Sequence, residues 1–334
     1  MNVLQTIQNA LKPFIRKRYT WPLKLLVTAL FVYLVNKNLG YGRIKLIEIR
    51  LAFLPVVFIF LAGAANFFFQ VLRWQLVCRA YGMRISGGLA VKTMLFGNLL
   101  AFVTPGKFGE LLRGMSIPQA RKADTVVAVA FEKVCAGAVS IVAGVLAAMV
   151  HAAWYGISTG QTAVFAGSIG LGFAAAVLAL LASRGGAQKL LMRFNKGKAA
   201  LFAERLVPHA GAATFWGIAI YSIAAHLSVV CQTVFLFAMF GSSDISADIV
   251  CAFEAYAFMI FFPFFIANMG IREYSFGLFL GKVDVSRMAV PGAGGIAVLA
   301  SVSVLVINMV LPALAGLAWW LLASKKAGER PANT

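Results

Sequence analysis

The sequence predicts an all-α polytopic membrane protein, and three observations carry that prediction. The chain has 334 residues, of which 61% are hydrophobic and only 12% are charged, and its mean hydropathy is +0.86. Soluble domains are about 45–50% apolar and about 25% charged. Apolar stretches close to the ~20 residues needed to cross a bilayer recur along the chain. This composition excludes a soluble single-domain enzyme and a disordered chain.

Most of the charged residues are basic. There are 30 basic and 11 acidic residues, which gives a net charge of +19. In so apolar a chain, basic residues indicate membrane topology and contact with anionic lipid, and nucleic acid is not expected as a partner. No cysteine or histidine spacing suits a metal, and no nucleotide-binding or common hydrolase motif occurs. The sequence therefore predicts no cofactor, and although it leaves enzymatic activity open, it offers no motif in favour of one.

Six stretches are long and apolar enough to cross the membrane completely. Residues 1–20 precede them and mix apolar with basic residues, which is typical of an amphipathic helix on the inner membrane face. Residues 21–323 form the expected transmembrane domain, and residues 324–334 form a cytoplasmic tail. The predicted full spans are 21–39, 51–78, 124–150, 161–183, 213–240 and 295–323.

Two further apolar stretches, within 89–120 and 248–281, are predicted to be re-entrant or broken segments. Cytoplasmic loops carry the excess of Lys and Arg, and residues 184–205 contain six basic residues whereas 151–160 contain none. If 89–105 crossed completely, the basic loop would lie outside. A hairpin that enters from the cytoplasm removes this conflict. The same reasoning makes 248–281 a hairpin from the opposite side, so both termini are expected in the cytoplasm and the chain has eight hydrophobic segments.

Both broken segments carry proline or glycine together with charge, and this predicts a site. The first is expected to turn at Pro105-Gly106, and the second between Pro263 and Gly270. Irregular backbone at membrane depth is tolerated where protein or a wet cavity satisfies its polar groups, and paired broken segments are typical of transporter sites. Two ordinary interfacial loops remain the alternative. Arg113 and Arg272 either pair with neighbouring carboxylates or hold a phosphate in a bidentate fork.

Ionisable residues in other apolar stretches extend this candidate site. Glu132 lies within the predicted span 124–150, where a charge is costly unless it is paired, and Lys133 beside it is expected to snorkel. Arg73 either marks the inner interface beside Trp74 or reaches a lipid headgroup. Several polar side chains in the spans are expected to hydrogen-bond neighbouring helices: Asn66, Asn98, Gln232 and Asn308.

Four segments of the sequence, in order, resemble the lysylphosphatidylglycerol synthase transmembrane, or flippase-like, family. They are FQVLRW (69–74), GNLLAFVTPGKFGELLR (97–113), AFEKV (130–134) and NMGIRE (268–273). The resemblance implies a multi-pass protein of the bacterial inner membrane that acts on lipids. Because the chain ends at Thr334, we expect a single-domain member without the soluble aminoacyl-transferase domain. The resemblance and the broken segments together suggest one substrate-binding set: Arg73, Asn98, Pro105, Gly109, Glu110, Arg113, Glu132, Gly270, Arg272 and Glu273.

Three functions remain open from the sequence. The leading hypothesis is a lipid translocase whose substrate is an anionic or aminoacylated lipid, a glycolipid or a polyprenyl phosphate. In it, Arg113 and Arg272 hold the phosphate, and Glu110, Glu132 and Glu273 balance charge or bind an amino headgroup. The alternative is a membrane-embedded enzyme or accessory subunit of lipid-linked glycosyl transfer, with Glu110 as a general base. A passive scaffold is the third. Membrane lipids are the expected partners, and a homo-oligomer or a pathway enzyme is possible.

Overall fold

The described part of the chain is built from helices. A computed structural model describes residues 33, 53–104, 108–117, 120–155, 211–261, 268, 270–284 and 293–328. Regular structure in these ranges is entirely helical, which confirms the predicted all-α membrane protein. In chain order the elements are α1 (Phe53–Ala80), α2 (Gly87–Val103), a 3₁₀ segment (Phe108–Ser116), α3 (Lys122–Tyr155), α4 (Ala212–Met239), α5 (Ile245–Ile260), α6 (Ile271–Asp284), α7 (Ala293–Leu305), a π segment (Val306–Val310) and α8 (Leu311–Gly328).

Four of the six predicted spans are confirmed as long apolar helices. Within the described residues, the candidates long and apolar enough to cross a membrane are Phe53–Ala80, Lys122–Trp154, Ala212–Met239 and Gly294–Trp319. They correspond to the predicted spans 51–78, 124–150, 213–240 and 295–323. The predicted spans 21–39 and 161–183 lie outside the described residues, as does the amphipathic segment 1–20. The number of crossings and their orientation therefore stay predictions.

The first broken segment folds back on itself. Helix α2 ends at Val103, and the 3₁₀ segment returns along its side so closely that a Cβ atom on Gly109 would lie 2.2 Å from the Leu100 carbonyl. Only glycine fits so close a backbone approach. Thr104 joins the two arms, because its hydroxyl donates to the Leu100 carbonyl and accepts from the Gly109 amide, both at 2.7 Å. The predicted turn at Pro105-Gly106 lies outside the described residues.

The second broken segment also forms two arms that pack together. The ring of Phe258 on α5 contacts those of Tyr274 and Phe279 on α6, with ring centroids 6.5 and 6.0 Å apart. At the start of α6, Asn268 and Gly270 have φ of 58° and 86°. This left-handed backbone is unusual for a residue with a Cβ atom. The chain is therefore irregular where the sequence predicted a break, although residues 262–267 lie outside the described part.

Small residues and polar side chains bring the helices together. Gly144 on α3 faces Ala257, and Gly316 on α8 faces the Leu95 carbonyl, so that a Cβ atom at either glycine would lie 2.2 or 2.6 Å away. Close packing of this kind drives helix association in membranes. Two predicted cross-links are present: Asn66 donates to the Ala225 carbonyl at 2.7 Å, and Asn308 donates to Gln232 at 2.6 Å.

Candidate functional site

Three separate elements bring charged side chains to one buried carboxylate. Glu132, on α3, is completely buried. Its Oε1 accepts hydrogen bonds from Nε and Nη2 of Arg73 on α1, at 3.0 and 2.8 Å. Its Oε2 forms an ion pair with Arg113 of the 3₁₀ segment. We refer to these three residues as the Arg73–Glu132–Arg113 cluster.

The local sequence around Arg113 explains how a guanidinium fits into the interior. Gly97 leaves room for it, because a Cβ atom there would lie 2.7 Å from the Arg113 Cβ. The guanidinium stacks on the ring of Trp74, 4.1 Å from its centroid, in a cation–π contact. Trp74 is itself fixed by a hydrogen bond from its ring N–H to the Thr93 hydroxyl at 2.9 Å. The short turn of α2 from Thr93 to Gly97 therefore shapes the pocket that holds Arg113.

The cluster carries one positive charge more than its carboxylate neutralises. Arg73 is 4% exposed and Arg113 is 2% exposed, so both guanidinium groups are removed from water together with Glu132. A buried charge is costly unless it is paired, and pairing is strong in so apolar a setting. A guanidinium offers a planar fork that matches the oxygens of a phosphate. The cluster thus combines an excess of positive charge with donors whose geometry matches phosphate oxygens.

A second ion pair lies directly beside the cluster. Lys133 on α3 pairs with Glu110 of the 3₁₀ segment. The Lys133 side chain is 44% exposed and that of Glu110 is 11% exposed. Lys133 was expected to snorkel and Glu110 to be a possible partner of Arg113. In the structure both residues of the 3₁₀ segment pair with residues of α3: Glu110 binds Lys133, and Arg113 binds Glu132.

A different buried cluster connects α6 to α7. Glu273 accepts from the Gly270 amide at 2.6 Å and from the Ser301 hydroxyl at 2.8 Å. Arg272 donates to the Ser301 carbonyl at 3.3 Å. Glu273 thereby satisfies one of the backbone donors left free at the start of a helix. These three hydrogen bonds hold the irregular backbone before α6 and the start of α6 against α7.

Comparison with known proteins identifies the family. Residues 21–307 match the family described as the lysylphosphatidylglycerol synthase TM region. The chain belongs to that family. The match confirms the resemblance seen in the four sequence segments and makes this a multi-pass membrane protein related to lipid handling. Searches of curated proteins and of solved structures each found no match.

The ten residues predicted for the site lie in several separate parts of the chain. Four of them meet at or beside the Arg73–Glu132–Arg113 cluster, with Glu110 as the fourth. Gly109 supports them through its close approach to α2. Asn98 is half-buried on α2, and its side chain makes no hydrogen bond within the described part. Pro105 lies outside the described residues. Three others belong to the α6–α7 cluster: Gly270, Arg272 and Glu273.

Two features of the structure bear on interpretations made from the sequence. Arg73 is buried against Glu132, so its guanidinium faces the protein interior and not the outer surface of α1. Sequence reasoning also missed the partner of Glu254, whose two carboxylate oxygens each lie 3.0 Å from Nδ1 of His151. These residues are 103 positions apart, and no local pattern links them. Ser301 was missed too, because a serine in an apolar span carries little signal.

Proposed function

We propose that this protein moves a phosphate-bearing lipid between the leaflets of the bacterial inner membrane, with the Arg73–Glu132–Arg113 cluster as its headgroup site. The observation that carries this proposal is the convergence of two buried arginines on one carboxylate. Membership of the family provides the broader setting of lipid handling. The cluster adds a place in the protein interior where an anionic headgroup has a charged partner.

Charge balance suggests what the site accepts. Arg73 and Arg113 contribute two positive charges and Glu132 one negative charge. The neighbouring Glu110–Lys133 pair adds no net charge, so the five side chains together carry one positive charge, which a singly charged phosphodiester would neutralise. Because uncompensated charge is costly away from water, binding such a headgroup lowers the cost of burying the second arginine. The headgroup then shares the guanidinium groups with Glu132 while it is shielded from the hydrocarbon.

Irregular backbone in both broken segments supports a transport role. The 3₁₀ segment that supplies Arg113 is one arm of a fold-back, and the chain before α6 is irregular at Asn268 and Gly270. Broken segments of this kind surround the substrate sites of many secondary transporters. Such backbone is tolerated at membrane depth where it is buried in protein or lines a cavity. The fold thus has the local irregularity that a path for a polar headgroup requires.

Leaflet redistribution in proteoliposomes tests the proposal. Purified protein is reconstituted into phosphatidylcholine vesicles that contain a tail-labelled phosphatidylglycerol, and the fraction of label in the outer leaflet is followed by impermeant quenching. We expect redistribution faster than in protein-free vesicles. Arg73→Lys keeps the charge but loses the fork, and should slow it about tenfold or more. Arg79→Lys is the matched control, because Arg79 lies on the same helix with its side chain exposed. Equal rates with and without protein, or equal rates for the two variants, would refute the proposal.

A further inference from the structure

An apolar groove runs between α3, α4 and α5. It encloses about 720 Å³, and nearly all of its lining is aliphatic or aromatic. His226 is one of the few polar residues at its wall, and its Nδ1 lies 3.1 Å from the Ser140 hydroxyl of α3. Ligand pockets of about 300–1,000 Å³ are typically apolar with few polar groups. Both the size and the chemistry of this groove suit a hydrocarbon chain.

The groove is as long as the hydrocarbon core of a bilayer. Its lining on α3 extends from Cys135 to Trp154, which at 1.5 Å per residue is about 28 Å, against about 30 Å for the hydrocarbon core. Trp216 lies near the Cys135 end of the groove, because Ile218, two residues further along α4, packs in the same apolar cluster as Cys135. Trp154 and Trp216 are both largely exposed, and tryptophan is enriched at the two membrane interfaces. Where α3 crosses the bilayer as the sequence predicts, a groove of this length extends through both leaflets.

One end of the groove adjoins the charged cluster. Cys135 follows Glu132 by three residues, and side chains at this spacing share a helix face. Cys135 and Ile218 are buried in the same apolar cluster as Trp74, whose ring carries the Arg113 guanidinium. The charged cluster and the Cys135 end of the groove therefore border the same apolar cluster. This is the arrangement that an amphiphile with one charged end requires.

We infer that the groove holds a hydrocarbon chain of the lipid whose phosphate binds the Arg73–Glu132–Arg113 cluster. The inference rests on the proposed function and extends it to the apolar part of the substrate. Because the groove spans both leaflets, the chain stays in contact with the same wall while the headgroup changes sides. The hydrocarbon is thereby guided by the protein throughout the crossing.

Photo-crosslinking tests the inference directly. Full-length protein in phosphatidylcholine vesicles is irradiated with hexadecyl phosphate that carries a diazirine at the chain end, and the labelled peptides are identified by mass spectrometry. Labels are expected on α3 beyond Cys135 and on the groove face of α4. Ile223→Trp fills the groove and should lower the yield at least about fivefold, because the added ring competes for lining space. Ile220→Trp is the matched control, since Ile220 is exposed one turn away on α4 and does not line the groove.

The outcomes separate the groove from the transport proposal. Labels confined to other helices, or equal yields for Ile223→Trp and Ile220→Trp, would overturn the inference even if the protein moves lipid. Groove labelling without leaflet redistribution would support the chain site and count against translocation. The same diazirine on hexadecanol, which lacks the phosphate, should label the groove less. Equal labelling by the two probes would overturn the link between the groove and the charged cluster.

Discussion

Glu132→Gln is the most informative change to the buried cluster. The substitution keeps the shape of the side chain and removes its charge. The carboxylate is completely buried and is bonded by Arg73 on one oxygen and Arg113 on the other. A glutamine can accept from one guanidinium, but its amide N–H₂ then faces the other, and the two buried positive charges lose the carboxylate that both contact. Breaking a buried pair in this way costs about 3–5 kcal/mol, so we expect a loss of that size.

Unfolding in mixed detergent micelles, followed by tryptophan fluorescence, measures this loss. Lys133→Gln is the matched control on the next residue, because its side chain is 44% exposed and exposed pairs contribute only about 0–1 kcal/mol. Adding Arg73→Met to Glu132→Gln removes one uncompensated charge and should restore part of the stability. If Glu132→Gln costs no more than Lys133→Gln, the cluster does not hold the 3₁₀ segment against α1 and α3, and the reasoning fails.

Two further changes probe the packing around the site, with the same unfolding measurement. Gly109→Ala places a Cβ atom 2.2 Å from backbone atoms of α2 and should destabilise the protein by about 1–3 kcal/mol. Gly88→Ala is the control and should be neutral or slightly stabilising, because a Cβ atom on Gly88 meets nothing within 4 Å. Equal effects of the two substitutions would contradict the close approach of Gly109 to α2. Asn308→Ala removes the 2.6 Å hydrogen bond to Gln232 and should cost about 0.6–1.7 kcal/mol, the range measured for bonds between membrane helices. A loss above 3 kcal/mol would indicate a larger role for the π segment.

The spans could be predicted from the sequence because crossing a bilayer is mainly a matter of length and hydropathy. Helices α3 and α4 each begin within two residues of the predicted start, since charges and turn residues delimit the apolar stretches. Loop charge also predicted a fold-back after α2, and the structure places the 3₁₀ segment against that helix. The adjacent Pro105 and Gly106 were the local signal, because a Pro-Gly pair marks a turn.

The charged residues of the site could be predicted individually, but their pairing could not. Arg113 and Glu110 are three residues apart, and local sequence favours a pair between them. The structure instead joins Arg113 to Glu132 and Glu110 to Lys133. These pairs depend on how the 3₁₀ segment packs against α3, and local sequence does not determine that packing. The ion pair of Arg73 could not be predicted for the same reason, because its partner Glu132 is 59 residues away.

The pairing also makes the two broken segments unequal, although the sequence left the same two alternatives open for Arg113 and Arg272, an ion pair or a phosphate ligand. Arg113 shares a single carboxylate with Arg73, which leaves an excess of positive charge. Arg272 donates to a backbone carbonyl of α7, and Glu273 beside it binds the Gly270 amide and a hydroxyl of α7. The hydrogen bonds of Glu273 satisfy a backbone donor at the start of α6 and tie it to α7. If both segments belong to one transport path, the first supplies affinity for the headgroup, and the second supplies the rigid backbone against which it moves.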